Sequence, residues 1–236
     1  MEKKAFKLLH DSELSWWYKG RMRVVAQTLT LLPSTELPLN ILDVGAGFGG
    51  MFSLFNKYGT VYALEPNQEA RTIAKERGYK KVFASIEEIE KEGLSFHLVG
   101  AFDVIEHTAD DADFIAHLSQ LLEKDGVFIA TVPAHPWLWS DHDVLHHHHR
   151  RYTQRSFRDL FEKAGFFVEY LGHWNMLLLL PAILARVFGI SGESSMNPGS
   201  FIDRLFTSIV TMEARLIPKV SLPWGVSIVS VAQWRK

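Results

Sequence analysis

The chain has 236 residues, 47% of them hydrophobic, which is enough apolar material for one sizeable core. Its 25 Lys and Arg stand against 27 Asp and Glu, so nothing in its charge calls for nucleic acid as a partner. The absence of cysteine excludes a disulfide framework, a thiolate metal site and a cysteine nucleophile. Residues 1–10 carry three lysines without the apolar segment and cleavage site of a signal peptide, so a cytoplasmic location is expected.

In chain order, Tyr18, Met22, Val25, Leu29 and Leu32 recur at helical spacing and predict an amphipathic helix ending before Pro33, with Arg21 at the border of its apolar stripe. From Leu39 to about Tyr170, strand-like and helix-like patterns alternate, the signature of a parallel sheet with crossover helices. Strands are expected near 40–44, 60–65, 80–84, 97–104, 126–132 and 166–171, and helices near 49–57, 68–77, 109–123 and 153–164. Thr153 reads as the N-cap of the last helix and Gly165 as its stop. Two more helices, near 175–188 and 201–217, precede a final strand near 225–234, and 191–200 is the most loop-like segment. One domain is expected, with a helical cap over 1–35, a core over 36–172 and 223–236, and a helical insertion over 173–222. The charge-free apolar stretch 171–185 is shorter than the roughly 20 residues that span a bilayer. Peripheral membrane contact through 173–190 stays open.

The stretch ILDVGAGFGG, residues 41–50, carries the chemistry of the first half. Gly45, Gly47 and Gly50 satisfy the dinucleotide pattern G-x-G-x-x-G, so a nicotinamide-dependent oxidoreductase is one reading. Asp43 weighs against it, because a carboxylate at the strand end repels a pyrophosphate. The same carboxylate attracts the ammonium of S-adenosylmethionine. Glu65, in VYALEPN, ends the second strand where an acid accepts the hydroxyls of a ribose. Ser85 and Ile86, after the third strand, are placed to flank an adenine ring.

The run FHLVGAFDVIEHTADD resembles the corresponding segment of class I S-adenosylmethionine-dependent methyltransferases. ILDVGAGFGG is similar to that family's first motif, LEP to its acidic second, and LLEKDGVFIATVPA to the helix, loop and strand leading to the substrate region. WWYKGRMRVV, PAHPWLWSDHD, RRYT and LPWGVSIVSVA resemble a bacterial subgroup often encoded beside cell-envelope glycosyltransferases. One departure is His97, where the family has Asp; it bears on a local contact near the start of the fourth strand. The resemblance implies an α/β, Rossmann-like, doubly wound seven-stranded sheet in the order 3-2-1-4-5-7-6 with strand seven antiparallel. It implies that Asp43, Gly45, Ala46, Gly47 and Gly49 hold the methionine end of the cofactor, Glu65 with Pro66 the ribose, and Ser85 with Ile86 the adenine. Phe102, Asp103 and His107 would line the floor near the sulfonium.

The stretch SDHDVLHHHHRRY, residues 140–152, admits a metal site, a solvated loop or an acceptor pocket. No metal is assigned to it. The family's pattern there puts its single histidine on His148. If the acceptor is a hydroxyl, the reaction needs a base, with His148 the first candidate, His107 the second, and Asp143 orienting. Trp137, Trp139, Arg151 and Tyr152, with Tyr18 and Arg21, are expected to wall a small-molecule, sugar or lipid-linked glycan acceptor. The two helices after the sixth strand should emerge above the pocket as a lid, with Glu213, inside the stripe Ile202, Phe206, Ile209 and Leu216, paired to Arg21. A homodimer interface is the alternative use of those helices, and a monomer remains open. A binding protein that holds the cofactor without catalysis is the remaining alternative function.

Overall fold

The computed structural model describes residues 15–32, 38–187 and 200–235, with 185–187 as backbone only. The lysine-rich start, Pro33 and all but the last residue of 191–200 lie outside the described residues. Seven strands form one sheet: β1 (Leu39–Val44), β2 (Gly59–Leu64), β3 (Val82–Phe83), β4 (Phe96–Phe102), β5 (Leu122–Pro133), β6 (Phe166–Trp174) and β7 (Ser227–Trp234). Their order is β3-β2-β1-β4-β5-β7-β6. β1 to β5 pair in parallel, and β7 runs antiparallel to both β5 and β6, as expected.

The alternation of side chains along each strand splits the apolar residues between two cores. Ile41, Leu98, Ile129 and Val229 face one side with Phe55 and Trp174, while Leu42, Val99, Phe128 and Ile228 face the other with Ile115 and Phe161. Covered on both faces, the sheet leaves its carboxyl edge as the place for a ligand.

Helices α1 (Trp16–Thr28), α2 (Phe52–Phe55), α3 (Gln68–Glu76), α4 (Ile86–Lys91), α5 (Asp111–Gln120), α6 (Asp141–Leu145), α7 (Gln154–Lys163), α8 (Leu179–Val187) and α9 (Phe201–Ala214) surround the sheet. The expected stop signals hold for α7: the Thr153 hydroxyl accepts from Ser156 N–H at 3.0 Å, and Gly165 follows the helix at φ +90°. The helix expected over 49–57 is only α2, because Gly45, Gly47 and Gly49 all take positive φ and prolong the turn. Two short helices were not expected. Both α4 and α6 are under two turns, too short to show a period, and α6 is set by a capping box between Ser140 and Asp143.

The departure at His97 makes its own contact: Nδ1 accepts from Asn40 N–H at 3.0 Å and Nε2 faces Glu123 at 3.5 Å. The stripe on α9 is rotated from the expected one. Asp203, Val210, Glu213 and Ala214 are buried, while Ile202 and Leu216 are about half exposed. The cause is polar. Asp203 accepts from the orphan Trp16 N–H at the start of α1 (2.7 Å) and faces Lys19 (3.7 Å). Glu213 does not pair with Arg21. It accepts from Met176 N–H (2.9 Å) and Leu177 N–H (3.2 Å), on the turn leading into α8. Arg21 turns instead to the end of β4.

Candidate active site

β1 delivers the chain into the glycine turn. A Cβ on Gly45 (φ +63°) would collide with Val104, so the turns after β1 and β4 are in contact; a Cβ on Gly47 (φ +53°) would meet nothing within 4 Å. That open side of Gly47 is where a ligand can approach backbone. Beneath it Asp43 is buried and accepts from the Tyr79 hydroxyl at 2.5 Å. Burial pushes its carboxyl up to about 7, with the Tyr79 hydrogen bond and the Arg21 charge opposing. An ammonium next to Asp43 would favour its ionised form.

Glu65, at the end of β2, is also buried; its two oxygens accept from Gly47 N–H (2.7 Å) and Asn67 N–H (2.8 Å). The acid thus braces the glycine turn. The Pro66 carbonyl is tied to Arg71 (2.5 Å). Ser85 and Ile86, half-buried, lie where β3 passes into α4, on the same edge. The parallel order β3-β2-β1-β4 therefore brings Asp43, the glycines, Glu65, Ser85 and Asp103 to one edge of the sheet.

After β4 the backbone turns through Asp103 at φ +57°. Asp103 accepts from Arg21 Nη1 (3.1 Å) and the Thr131 hydroxyl (3.0 Å), and Arg21 also reaches the Phe102 carbonyl (3.3 Å). The Phe102 ring itself lies in the core beside Phe55. The guanidinium of Arg21 sits 5.1 Å over the Tyr18 ring. α1 thus places both of these expected acceptor residues at the carboxyl edge.

The second half of the site is built around Asp143, which has no exposed surface. It accepts from Arg151 Nε (2.7 Å), His148 Nδ1 (2.9 Å) and Ser140 N–H (2.9 Å). Burial alone would raise the Asp143 carboxyl, but the hydrogen bonds from His148 and Arg151 and the guanidinium charge outweigh it and hold it below the usual carboxylate range. With an ionised acceptor at Nδ1, the proton of neutral His148 belongs there, and Nε2 keeps a lone pair. His107 stands edge-on to His148, ring centres 4.7 Å apart. Burial first, then the neighbouring His148, lowers the His107 pKa. The shift favours the neutral form of His107.

The histidine run does not act as one unit. His148 points inward, His149 N–H donates to the Glu106 carbonyl (2.7 Å), and the His146 ring packs on His142 (4.2 Å). Arg151 and Tyr152, expected in the wall and rim, are buried instead. Arg151 clamps Asp143 and the Ala134 carbonyl, and the Tyr152 hydroxyl donates to Asp111 (2.7 Å) within the core. Trp137 and Trp139 are exposed, at 58% and 41%, so neither is core packing.

Residues absent from the expected site include Tyr79, Thr131, Trp224, His135 and Glu106. Trp224 and Trp137 flank the buried His135 ring at 5.6 and 5.2 Å. Glu106, Thr131, His135 and Trp224 lie within stretches that resemble the family, while Tyr79 carried no signal. Burial first, then the Asp103 charge, raises the Glu106 carboxyl well above the usual range.

A doubly wound sheet with reversed seventh strand and an open glycine turn after β1 has the architecture of the class I methyltransferase fold. The comparisons agree. A family model described as a methyltransferase domain matches residues 16–171, and the chain belongs to that family, whose methyl donor is S-adenosylmethionine. It is 34% identical over 132 residues to an uncharacterized methyltransferase of Bacillus mycoides, a match covering 51% of this chain and 58% of the relative. Among solved structures it is similar in fold to the plantazolicin methyltransferase BpumL in complex with S-adenosylhomocysteine (TM-score 0.62, 13% identity, covering 100% of this chain and 91% of that one). A methyltransferase structure from Bacillus halodurans gives a TM-score of 0.54 at 17% identity, covering 89% and 99% of the two chains.

Proposed function

We propose that the chain transfers the methyl group of S-adenosylmethionine to a hydroxyl of a glycan acceptor, of the lipid-linked kind. The observation that carries the hydroxyl is the Asp143–His148 pair: a buried carboxylate fixes Nδ1–H, so the Nε2 lone pair faces the region beside His107, next to the end of β4. The acceptor oxygen attacks the methyl carbon in line as the carbon–sulfur bond breaks, its electrons staying on sulfur. His148 takes the hydroxyl proton, and S-adenosylhomocysteine and a methyl ether leave. Asp43 and the turn Gly45, Ala46, Gly47 and Gly49 hold the methionine end, Glu65 and Pro66 the ribose, Ser85 and Ile86 the adenine, and Asp103, His107 and the backbone of Phe102 the floor.

Exposed rings at the same edge, Trp137, Trp139 and Trp224, suit the apolar faces of sugar rings. In this reading α1, α8 and α9 form a lid over the acceptor. Leu177 before α8, Leu180 and Leu184 on it, and Phe201, Ile202 and Leu205 on α9, are all about half exposed or more and support contact with a lipid chain. The test is His148→Ala in a labelled-methyl assay against a calorimetric titration with S-adenosylmethionine. Turnover should fall by about a hundredfold or more, the usual contribution of a general base, at unchanged cofactor affinity. Equal loss of both, or of neither, would contradict the assignment.

A further inference from the structure

Among the described residues one group of side chains has metal-ligand chemistry: a carboxylate oxygen of Glu106 and one ring nitrogen each of His107 and His148 lie within 4.8 Å of one another. The group is graded from inside to outside, with Glu106 buried, His148 half-buried and His107 exposed. Glu106 has no exposed surface, yet neither of its carboxylate oxygens has a hydrogen-bond partner. The nearby cations are engaged elsewhere, Arg21 with Asp103 and Arg151 with Asp143. An unpartnered carboxylate in the interior costs several kcal/mol by general experience, and structures keep such a group where something binds it.

We propose that Glu106, His107 and His148 bind a divalent first-row transition-metal cation, with Asp143 as the outer carboxylate that orients His148. Two imidazoles and one carboxylate are a ligand set for zinc, manganese or cobalt rather than for magnesium or calcium. The carboxylate–histidine arrangement Asp143–His148 is the usual outer support of a metal-bound imidazole. Ligand atoms about 2 Å from a cation lie roughly 3–4 Å apart, so a spread under 4.8 Å closes by small side-chain movements. Three protein ligands leave coordination positions free on the exposed His107 side.

This inference rests on the proposed reading for the place of the acceptor and adds a second state of the same site. With the cation bound, the His148 lone pair is committed to the metal. The acceptor hydroxyl takes an open position, gives its proton to water, and attacks the methyl carbon as before. The cation-loaded enzyme should bind the acceptor more tightly, and the stripped enzyme should work through His148 as base.

The test titrates chelator-stripped full-length protein with cobalt(II), reading visible absorption and calorimetric stoichiometry, with zinc as competitor. One tight site per chain is expected, with the intense visible bands of a four- or five-coordinate ion, lost at least tenfold in affinity in Glu106→Gln and in His107→Ala. A paired replacement of His142 and His146 by Gln, which spares the three ligands, should leave it intact. Binding unaffected by Glu106→Gln, or abolished by the His142 and His146 replacements, would reduce the site to a surface histidine chelate and overturn the proposal. Circular dichroism checks that each variant is folded, and His107→Ala, altering an exposed side chain, stands in should Glu106→Gln fail to fold. No methyl transfer with cobalt binding intact would count against the proposed function instead.

Discussion

In the proposed reading, Glu65 and Asp43 make different demands on the same cofactor. Because Glu65 accepts two backbone N–H groups and would accept ribose hydroxyls, Glu65→Ala should weaken S-adenosylmethionine at least tenfold, a charged hydrogen bond contributing about 1.5–3 kcal/mol. Calorimetry on the folded variant checks it. Asp43 gives a pH dependence with a definite sign. Its carboxyl is raised by burial to about 7 in the folded chain from an ordinary value near 3.8, so its contribution to stability is full below the ordinary value and is lost as pH rises through about 7. Between those values the folded state holds a proton that a bound ammonium must displace. S-adenosylmethionine binding below pH 7 should therefore release a proton, seen as a buffer-dependent enthalpy, and Asp43→Asn should abolish that release. The places of both acids, at the ends of β1 and β2, were legible in the sequence from their spacing to the glycine turn. The contacts of Tyr79 and Thr131 were not legible. These residues reach Asp43 and Asp103 from distant positions, and no local pattern encodes such contacts.

At the scale of elements, the seven strands were readable from apolar runs and turn residues, while their order came from the family resemblance, and β5 begins at Leu122, inside the stretch expected as helix. The short helices and the facing of α9 were not. Asp203 and Glu213 look like breaks in an apolar stripe until the N–H groups they cap are known, and those belong to α1 and to the turn before α8. The crossing of α1 and α9 is close: a Cβ on Gly20 would lie 2.6 Å from Val210 Cγ1. Gly20→Ala should lose stability by about 1–3 kcal/mol through overpacking, against a helix-propensity gain of about 1 kcal/mol. Val210→Ala, costly alone, should cost less in the Gly20→Ala background. Denaturant titration of the four-protein cycle measures the coupling, and strict additivity would show that the two helices are not in this contact.

For the whole molecule, the two halves of the site differ in how they were encoded. The proposed cofactor half lies on strand ends of the most regular part of the chain, where motif spacing is strongest. The proposed acceptor half draws on α1, the segment 134–152 and the residues before β7, which meet only after folding, and so Arg151 and Tyr152 were placed outward when they point inward. No described helix is long and apolar enough to cross a membrane. The exposed apolar residues of α8 and α9 instead predict lateral contact: the protein should float with liposomes, and Phe201→Glu with Leu205→Glu should release it while leaving S-adenosylmethionine affinity unchanged. Concentration-dependent dimerisation in place of flotation would assign that face to a second copy. The central claim, a methyl-donor site rather than a dinucleotide site, is tested most directly by titrating the purified chain with S-adenosylmethionine and with NAD in parallel. The account predicts saturable one-to-one binding of S-adenosylmethionine that Glu65→Ala weakens, and no heat with NAD. Saturable binding of NAD with none of S-adenosylmethionine would contradict it.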